Sequence, residues 1–184
     1  MPDNKKMVEI RHFKMSFGDK TVIKDLSFDV FRGEVFGFLG SNGSGKTTTL
    51  RALLGLYQPT AGDLLINGKP YSVESQIRLG YLPEERGLYK KEKVLDVMLY
   101  FGQLKGLSRK EAKDFSLKFL ERVNLSDKAN TQLDKLSGGQ QQKIQLGVTI
   151  MGDPELLIMD EPAKGFDPVN RRLLMNIIEE QRKA

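Results

Sequence analysis

Gly40-Ser41-Asn42-Gly43-Ser44-Gly45-Lys46-Thr47 is the stretch on which the fold turns. Its glycines let backbone N–H groups turn inward around an anion, with no Cβ in the way. Just upstream, Val35, Phe36, Phe38 and Leu39 make residues 35–39 almost wholly apolar. Such a run suits a strand buried on both faces of a parallel sheet. Downstream, a helix is expected from about residue 45 to residue 54, its positive N-terminal end aimed at whatever the loop holds. Strand, glycine-rich turn and helix are the context in which this spacing binds phosphate. Lys46 would bridge the β- and γ-phosphates of a nucleotide, and the Thr47 hydroxyl would ligate Mg²⁺. Thr48 extends the same loop.

Two further stretches fit that loop. Leu156, Leu157, Ile158 and Met159 form an apolar run that ends in Asp160-Glu161. A carboxylate at the carboxyl end of a parallel strand sits where ligands bind in open α/β sheets. Asp160 offers a hard oxygen to Mg²⁺, and Glu161 suits a general base acting on water. The other stretch is Leu136-Ser137-Gly138-Gly139-Gln140. Ser137 with Gln140 three residues later is a capping box, opening an amphipathic helix through Ile144, Val148 and Met151. Gly138 and Gly139 at a helix N-terminus also make an exposed anion site. Both readings can hold, and the residues alone leave the anion unnamed.

A chain of 184 residues, 39% hydrophobic and 29% charged, is expected to be one soluble globular domain with a sizeable core. No apolar run reaches the length of a membrane span, and the N-terminal residues lack the apolar stretch of a secretory signal. Zero cysteines exclude disulfides and thiolate metal sites and suit the cytoplasm. The net charge of +5 is modest. Arg86, Lys90, Lys91 and Lys93 cluster, but no basic stripe interleaved with aromatics accompanies them, so no nucleic-acid partner is expected.

Alternating apolar positions over residues 7–31 predict partly antiparallel strands with a turn at Gly18-Asp19. Residues 62–69 predict a hairpin ending at Asn67-Gly68, and residues 79–82 and 155–159 predict strands. Residues 94–105 are apolar around most of a helix, which must be buried on more than one side or meet a partner. Ser108-Arg109-Lys110-Glu111 caps another helix running to about residue 123. A last helix starts near Pro168. The expected fold class is α/β: a P-loop NTPase core with an N-terminal antiparallel β subdomain and an inserted α-helical subdomain. Residues 1–93 and 136–184 form the catalytic core, and residues 94–135 form the insert.

Together these motifs resemble the nucleotide-binding subunit of an ABC (ATP-binding cassette) transporter, over nearly the whole chain. Leu136 to Gln140 matches the LSGGQ signature of that family. The resemblance implies ATP and Mg²⁺ as cofactors and a head-to-tail dimer with a second ATP-binding subunit. In it, Ser137 and Gly139 of one protomer touch the γ-phosphate held by the partner's loop. It also implies a polytopic membrane subunit as partner, and a cytoplasmic location, peripheral on the inner face of the membrane. Phe17 matches the aromatic that stacks on adenine, although a phenylalanine at a strand end is also an ordinary core residue. Asp167, in Gly165-Phe166-Asp167-Pro168, matches an interface aspartate of the D-loop.

Some residues depart from the family pattern. Glu84 stands at the Q-loop position, usually glutamine, and would bring a Mg²⁺-ligating carboxylate near the γ-phosphate. Ala163-Lys164 stands where Thr/Phe-Ser is more usual. The stretch from Tyr81 to Tyr89 resembles a bacterial exporter branch of sodium-extrusion and drug-resistance ATPases. The family also carries a switch histidine on a further strand, whereas this chain ends inside a helix and its only histidine is His12. The sequence therefore reads as a single ABC ATPase domain incomplete at its C-terminus, able to bind nucleotide and slow to hydrolyse it. The rival functions are a soluble non-transport ABC ATPase and a non-catalytic nucleotide sensor. One phosphate loop and the lack of a sustained heptad argue against the first.

Overall fold

β1 (Lys6–Phe17), with Met7, Val8, Ile10, Phe13 and Met15 buried, is the centre of an antiparallel sheet. The computed structural model describes residues 5–72, 77–85 and 87–183, and the chain divides into two compact units. In the first, residues 1–76 with 182–184, β1 lies between β2 (Lys20–Phe31) and β3 (Ala61–Ile66). Gly18, at φ 55°, turns β1 into β2, as the sequence predicts. The ladder slips between Ile10↔Phe28 and Phe13↔Leu26. His12 occupies that bulge at φ 47°, with its imidazole exposed and 3.4 Å from Asp25. Ile10, Phe13, Met15, Ile23 and Leu64 are buried, together with Ala52 and Leu53 of α1 (Lys46–Leu53).

Two expectations are corrected in this unit. Residues 35–39 are not a buried strand. They are irregular, and Val35, Phe36 and Leu39 are exposed, Leu39 at 91%. A strand needs a neighbour to complete its ladder; here the ring of Phe36 stacks on Phe28 at 4.8 Å, with Phe38 at 5.6 Å from the same ring. Aromatic packing on β2 takes these side chains instead. Nor do residues 62–69 make a hairpin of their own. Asn67 and Gly68 do turn the chain, at φ 52° and 76°, but only a single bridge, Ile66↔Lys69, follows among the described residues. β3 pairs with β1 instead.

The second unit, residues 77–181, packs helices against a two-stranded parallel sheet. β4 (Leu79–Leu82) and β5 (Leu156–Met159) run in register, Leu82 beside Met159. The helices are α2 (Val94–Leu104), α3 (Arg109–Arg122), α4 (Gly138–Ile150) and α5 (Pro168–Lys183). Ser108 and Glu111 form the expected reciprocal box at the start of α3. The core runs through Val94, Met98, Phe119, Leu120, Ile144, Leu146, Met151 and Ile177. Burying each such side chain contributes roughly 1.5–3 kcal/mol against exposure. The helix of residues 94–105 is buried along Val94, Val97, Met98 and Leu99, while Tyr100 and Leu104 remain exposed.

One interaction in this unit was not legible in the sequence. Lys105, just past α2, donates to the carbonyls of Val148 and Thr149, both at 2.7 Å, and of Met151 at 3.0 Å. All three of its N–H donors thus cap the carboxyl end of α4, where the helix dipole favours a cation. Burial pushes its pKa down to about 8.

Candidate functional site

The phosphate-type loop is built by geometry that only glycine tolerates. Gly45 precedes α1 at φ 95°, where a Cβ would also meet Ile23 Cγ1 at 2.9 Å. At Gly40 a Cβ would stand 2.6 Å from Ser44 Oγ. No side chain caps the start of α1, so its first N–H groups are open to an anion. Lys46 folds back over the loop, donating to the Gly40 carbonyl at 2.8 Å and the Ser41 carbonyl at 3.1 Å. Ser41, Asn42, Gly43 and Ser44 are exposed; Thr47 and Thr48, in the first turn of α1, are half-buried. In the same unit Phe17 ends β1, is half exposed, and meets Tyr57 edge-on at 5.4 Å. Phe17 is therefore not an ordinary core residue.

In the second unit one sheet edge gathers the acids. Asp160 N donates to the Leu82 carbonyl at 2.8 Å, so the segments leaving β4 and β5 start side by side. Pro83 and Glu84 follow one strand, Asp160 and Glu161 the other. Asp160 is buried, and its Oδ2 has no hydrogen-bond partner among the described residues. A buried carboxylate oxygen left unmatched is costly, and a divalent cation is a group that would satisfy it; the donor set thus fits Mg²⁺. Glu161 is exposed and held at φ 50°, a conformation of order 1 kcal/mol above the ordinary for a non-glycine residue. Among the described residues no three acidic or histidine side chains already form a metal cluster. Water or ligand oxygens would complete the coordination.

Behind this edge stands α4. Gln145, buried amid an apolar stretch, donates from Nε2 to the Glu85 carbonyl at 3.1 Å and holds the segment after β4. A lone amide among Ile144, Leu146 and Val148 was the available signal for it. At the other end of α4, Ser137 and Gln140 make both bonds of the capping box, at 3.3 and 2.9 Å. A Cβ on Gly139 would find only the Gly165 carbonyl, at 3.7 Å, an ordinary contact. The chain's own packing therefore does not require that glycine. Asp167 caps α5, accepting from Asn170 N at 2.8 Å and Asn170 Nδ2 at 2.9 Å. Glu84 Oε1 lies 2.6 Å from Lys164 Nζ. Arg86, part of the basic cluster, lies outside the described residues.

A family model described as ABC transporter matches residues 23–164. An uncharacterized ABC transporter ATP-binding protein of Methanocaldococcus jannaschii is 43% identical over 176 residues, covering 96% of this chain and 64% of that protein. A Nod factor export ATP-binding protein I of a Rhizobium species is 38% identical over 174 residues, covering 93% of this chain and 57% of its own length. A solved structure titled as the ATP binding subunit of an ABC transporter superposes with a TM-score of 0.85 at 28% identity, over 96% of this chain and 75% of that one. The chain thus spans about three fifths of the length of these curated relatives.

Proposed function

Because the chain belongs to the ABC transporter family, we propose that it is the ATP-binding and hydrolysing part of a transporter, driving export by ATP-dependent closure of a dimer. The observation that carries this reading is the pairing of an uncapped, glycine-built loop at α1 with a self-capped α4 whose Gly139 is dispensable to its own fold. The first suits a phosphate held within the chain, and the second suits a phosphate brought by another chain. In this reading residues 40–48 bind the ATP phosphates, with Lys46 exchanging its loop carbonyls for phosphate oxygens. Phe17 stacks on the base. Ser137, Gly138, Gly139 and Gln140 contact the partner's nucleotide, and Asp167 lies at the seam.

Asp160 and Glu84 of the second unit are candidate Mg²⁺ ligands, and Thr47 of the first is another; the ion when bound would neutralise charge developing on the phosphates. Glu161 accepts the proton of the attacking water. Among the described residues no helix is long and apolar enough to cross a membrane; the family membership supports attachment through a membrane subunit. Tyr89, Glu92, Asp96, Val97 and Tyr100 line a cavity of about 370 Å³ beside α2. Its aromatic walls and two acids suit a basic, partly apolar cytoplasmic segment of that subunit. The export direction is supported by the Nod factor export relative.

The test is Glu161→Gln in the complete gene product. With Mg-ATP it should run as a dimer by light scattering while turnover falls at least a hundredfold. A variant that stays monomeric, or hydrolyses at the wild-type rate, removes the base assignment and the closure mechanism with it.

A further inference from the structure

Phe17 stands half exposed at the end of β1, and the ring of Tyr57 meets it edge-on, with the two planes 83° apart. That arrangement is one that aromatic pairs favour. Tyr57 lies in the segment between α1 and β3, and its place there is fixed from both sides. Gly55 N and Leu56 N donate to the Ala52 and Arg51 carbonyls, each at 2.9 Å, and close α1 just before Tyr57. Arg51, in the last turn of α1, donates from Nη1 to the Tyr57 hydroxyl at 3.2 Å. Three residues on, Thr60 N donates to the Lys14 carbonyl and Thr60 Oγ1 accepts from Ser16 N, both at 2.9 Å. The segment that carries Tyr57 is thus tied to the end of β1 that carries Phe17. The phosphate-type loop stands near this pair in the same unit. A Cβ on Gly45 would meet Ile23 Cγ1 at 2.9 Å and Val22 Cγ1 at 3.4 Å, and Ile23 pairs with Met15 in the β1–β2 ladder. Phe17 lies two residues beyond Met15 on the strand, about 7 Å. Loop and aromatic pair are within one nucleotide's reach.

We propose that Tyr57 is a positioning residue for the nucleotide base: its ring holds the ring of Phe17 ready to stack. The proposal rests on the reading of Phe17 as the base-stacking residue given above. A half-exposed phenylalanine at a strand end is otherwise free to change rotamer. Ordering it as the base arrives would cost affinity, and a ring ordered beforehand removes that cost. The part of Tyr57 that acts is its ring, which touches Phe17. Its hydroxyl faces Arg51 and serves to place the side chain.

The experiment measures ATP affinity by calorimetry on the complete gene product with Mg²⁺, in a double-mutant cycle. Phe17→Ala should weaken binding about tenfold, as the loss of one aromatic stack on a base does. Tyr57→Ala, with Phe17 kept, should weaken it about threefold to fivefold. In the Phe17→Ala background the same substitution should weaken it no further, because the ring it positions is gone. Tyr57→Phe, which keeps the ring, should bind as wild type does. A merely structural role would lower affinity alike in both backgrounds. Thermal melting checks that each variant is folded, and Tyr57→Leu, which keeps apolar bulk without a ring, replaces Tyr57→Ala should that variant not fold. If Phe17→Ala weakens binding and Tyr57→Ala does not, the proposal is overturned while the reading of Phe17 stands. The same holds if Tyr57→Ala acts equally in both backgrounds, or if Tyr57→Phe is as weak as Tyr57→Ala. If Phe17→Ala binds ATP as wild type does, or wild type binds none at millimolar concentration, the reading of Phe17 falls and the proposal with it.

Discussion

The starts of α1 and α4 are both glycine-bearing helix N-termini, yet they are finished in opposite ways. At α1 no side chain caps the helix, and glycine geometry at Gly45 holds the turn by excluding any Cβ. Its N–H groups are reserved, and Lys46 bonds loop carbonyls in the meantime. At α4 the Ser137–Gln140 box satisfies the N-terminus from within, and Lys105 caps the far end. α4 is complete as it stands, and its own packing does not require Gly139. A helix terminus left open and one already closed can both face phosphate. In the proposed function the first would bind by donating its own unsatisfied groups, the second by offering a rigid, bare surface for close approach.

The widest break in this comparison is Lys46→Ala. Losing two charge-assisted contacts to phosphate should weaken ATP binding about a hundredfold or more. Titration with ATP in calorimetry checks it, and equal affinities would remove α1 from the site. Next is the far end of α4. Lys105→Met leaves three helix carbonyls without their donor and should cost about 1–3 kcal/mol in urea unfolding at pH 7.5.

The same variant carries a pH signature. Burial holds Lys105 at about 8 in the folded chain, below its ordinary 10.5. Between those values the unfolded chain binds a proton that the folded chain does not, so this group's contribution to stability grows as pH rises. The stability difference between wild type and Lys105→Met should widen in wild type's favour from pH 8 to pH 10. A difference that stays flat would mean that Lys105 keeps its ordinary titration.

Ser137→Ala should cost about 1 kcal/mol by opening the capping box, read as a lowered unfolding midpoint. No change would mean that α4 is held by its core alone. The smallest stability effect is expected at Gly139→Ala, within about 0.5 kcal/mol of wild type, while Mg-ATP-driven dimerisation of a Glu161→Gln background should fall several-fold. A large loss of stability would show the glycine to be a packing requirement after all, and the contrast between the two helices would collapse.

What the sequence determined alone is local. Turn glycines, the boxes at Ser108 and Ser137 and the loop at residues 40–47 depend mainly on contacts within a few residues, which spacing records directly. α3 followed from its capping box for the same reason. Tertiary structure decided the rest. Residues 35–39 read as a buried strand, but a ladder needs a partner, and stacking on Phe28 placed their aromatics instead. Lys105 ends the helix predicted at residues 94–105, and nothing in its spacing points to the end of α4, 43 to 46 residues away, where its ammonium is bound. Gln145 stands as an amide among apolar neighbours, but its partner, the carbonyl of Glu85, is 60 residues away. Glu84 and Lys164 each read as a separate departure, and only the parallel register of β4 with β5 brings them together as a pair. Long-range partners of this kind leave no spacing in a sequence, because the fold, not the chain's local geometry, sets their distance.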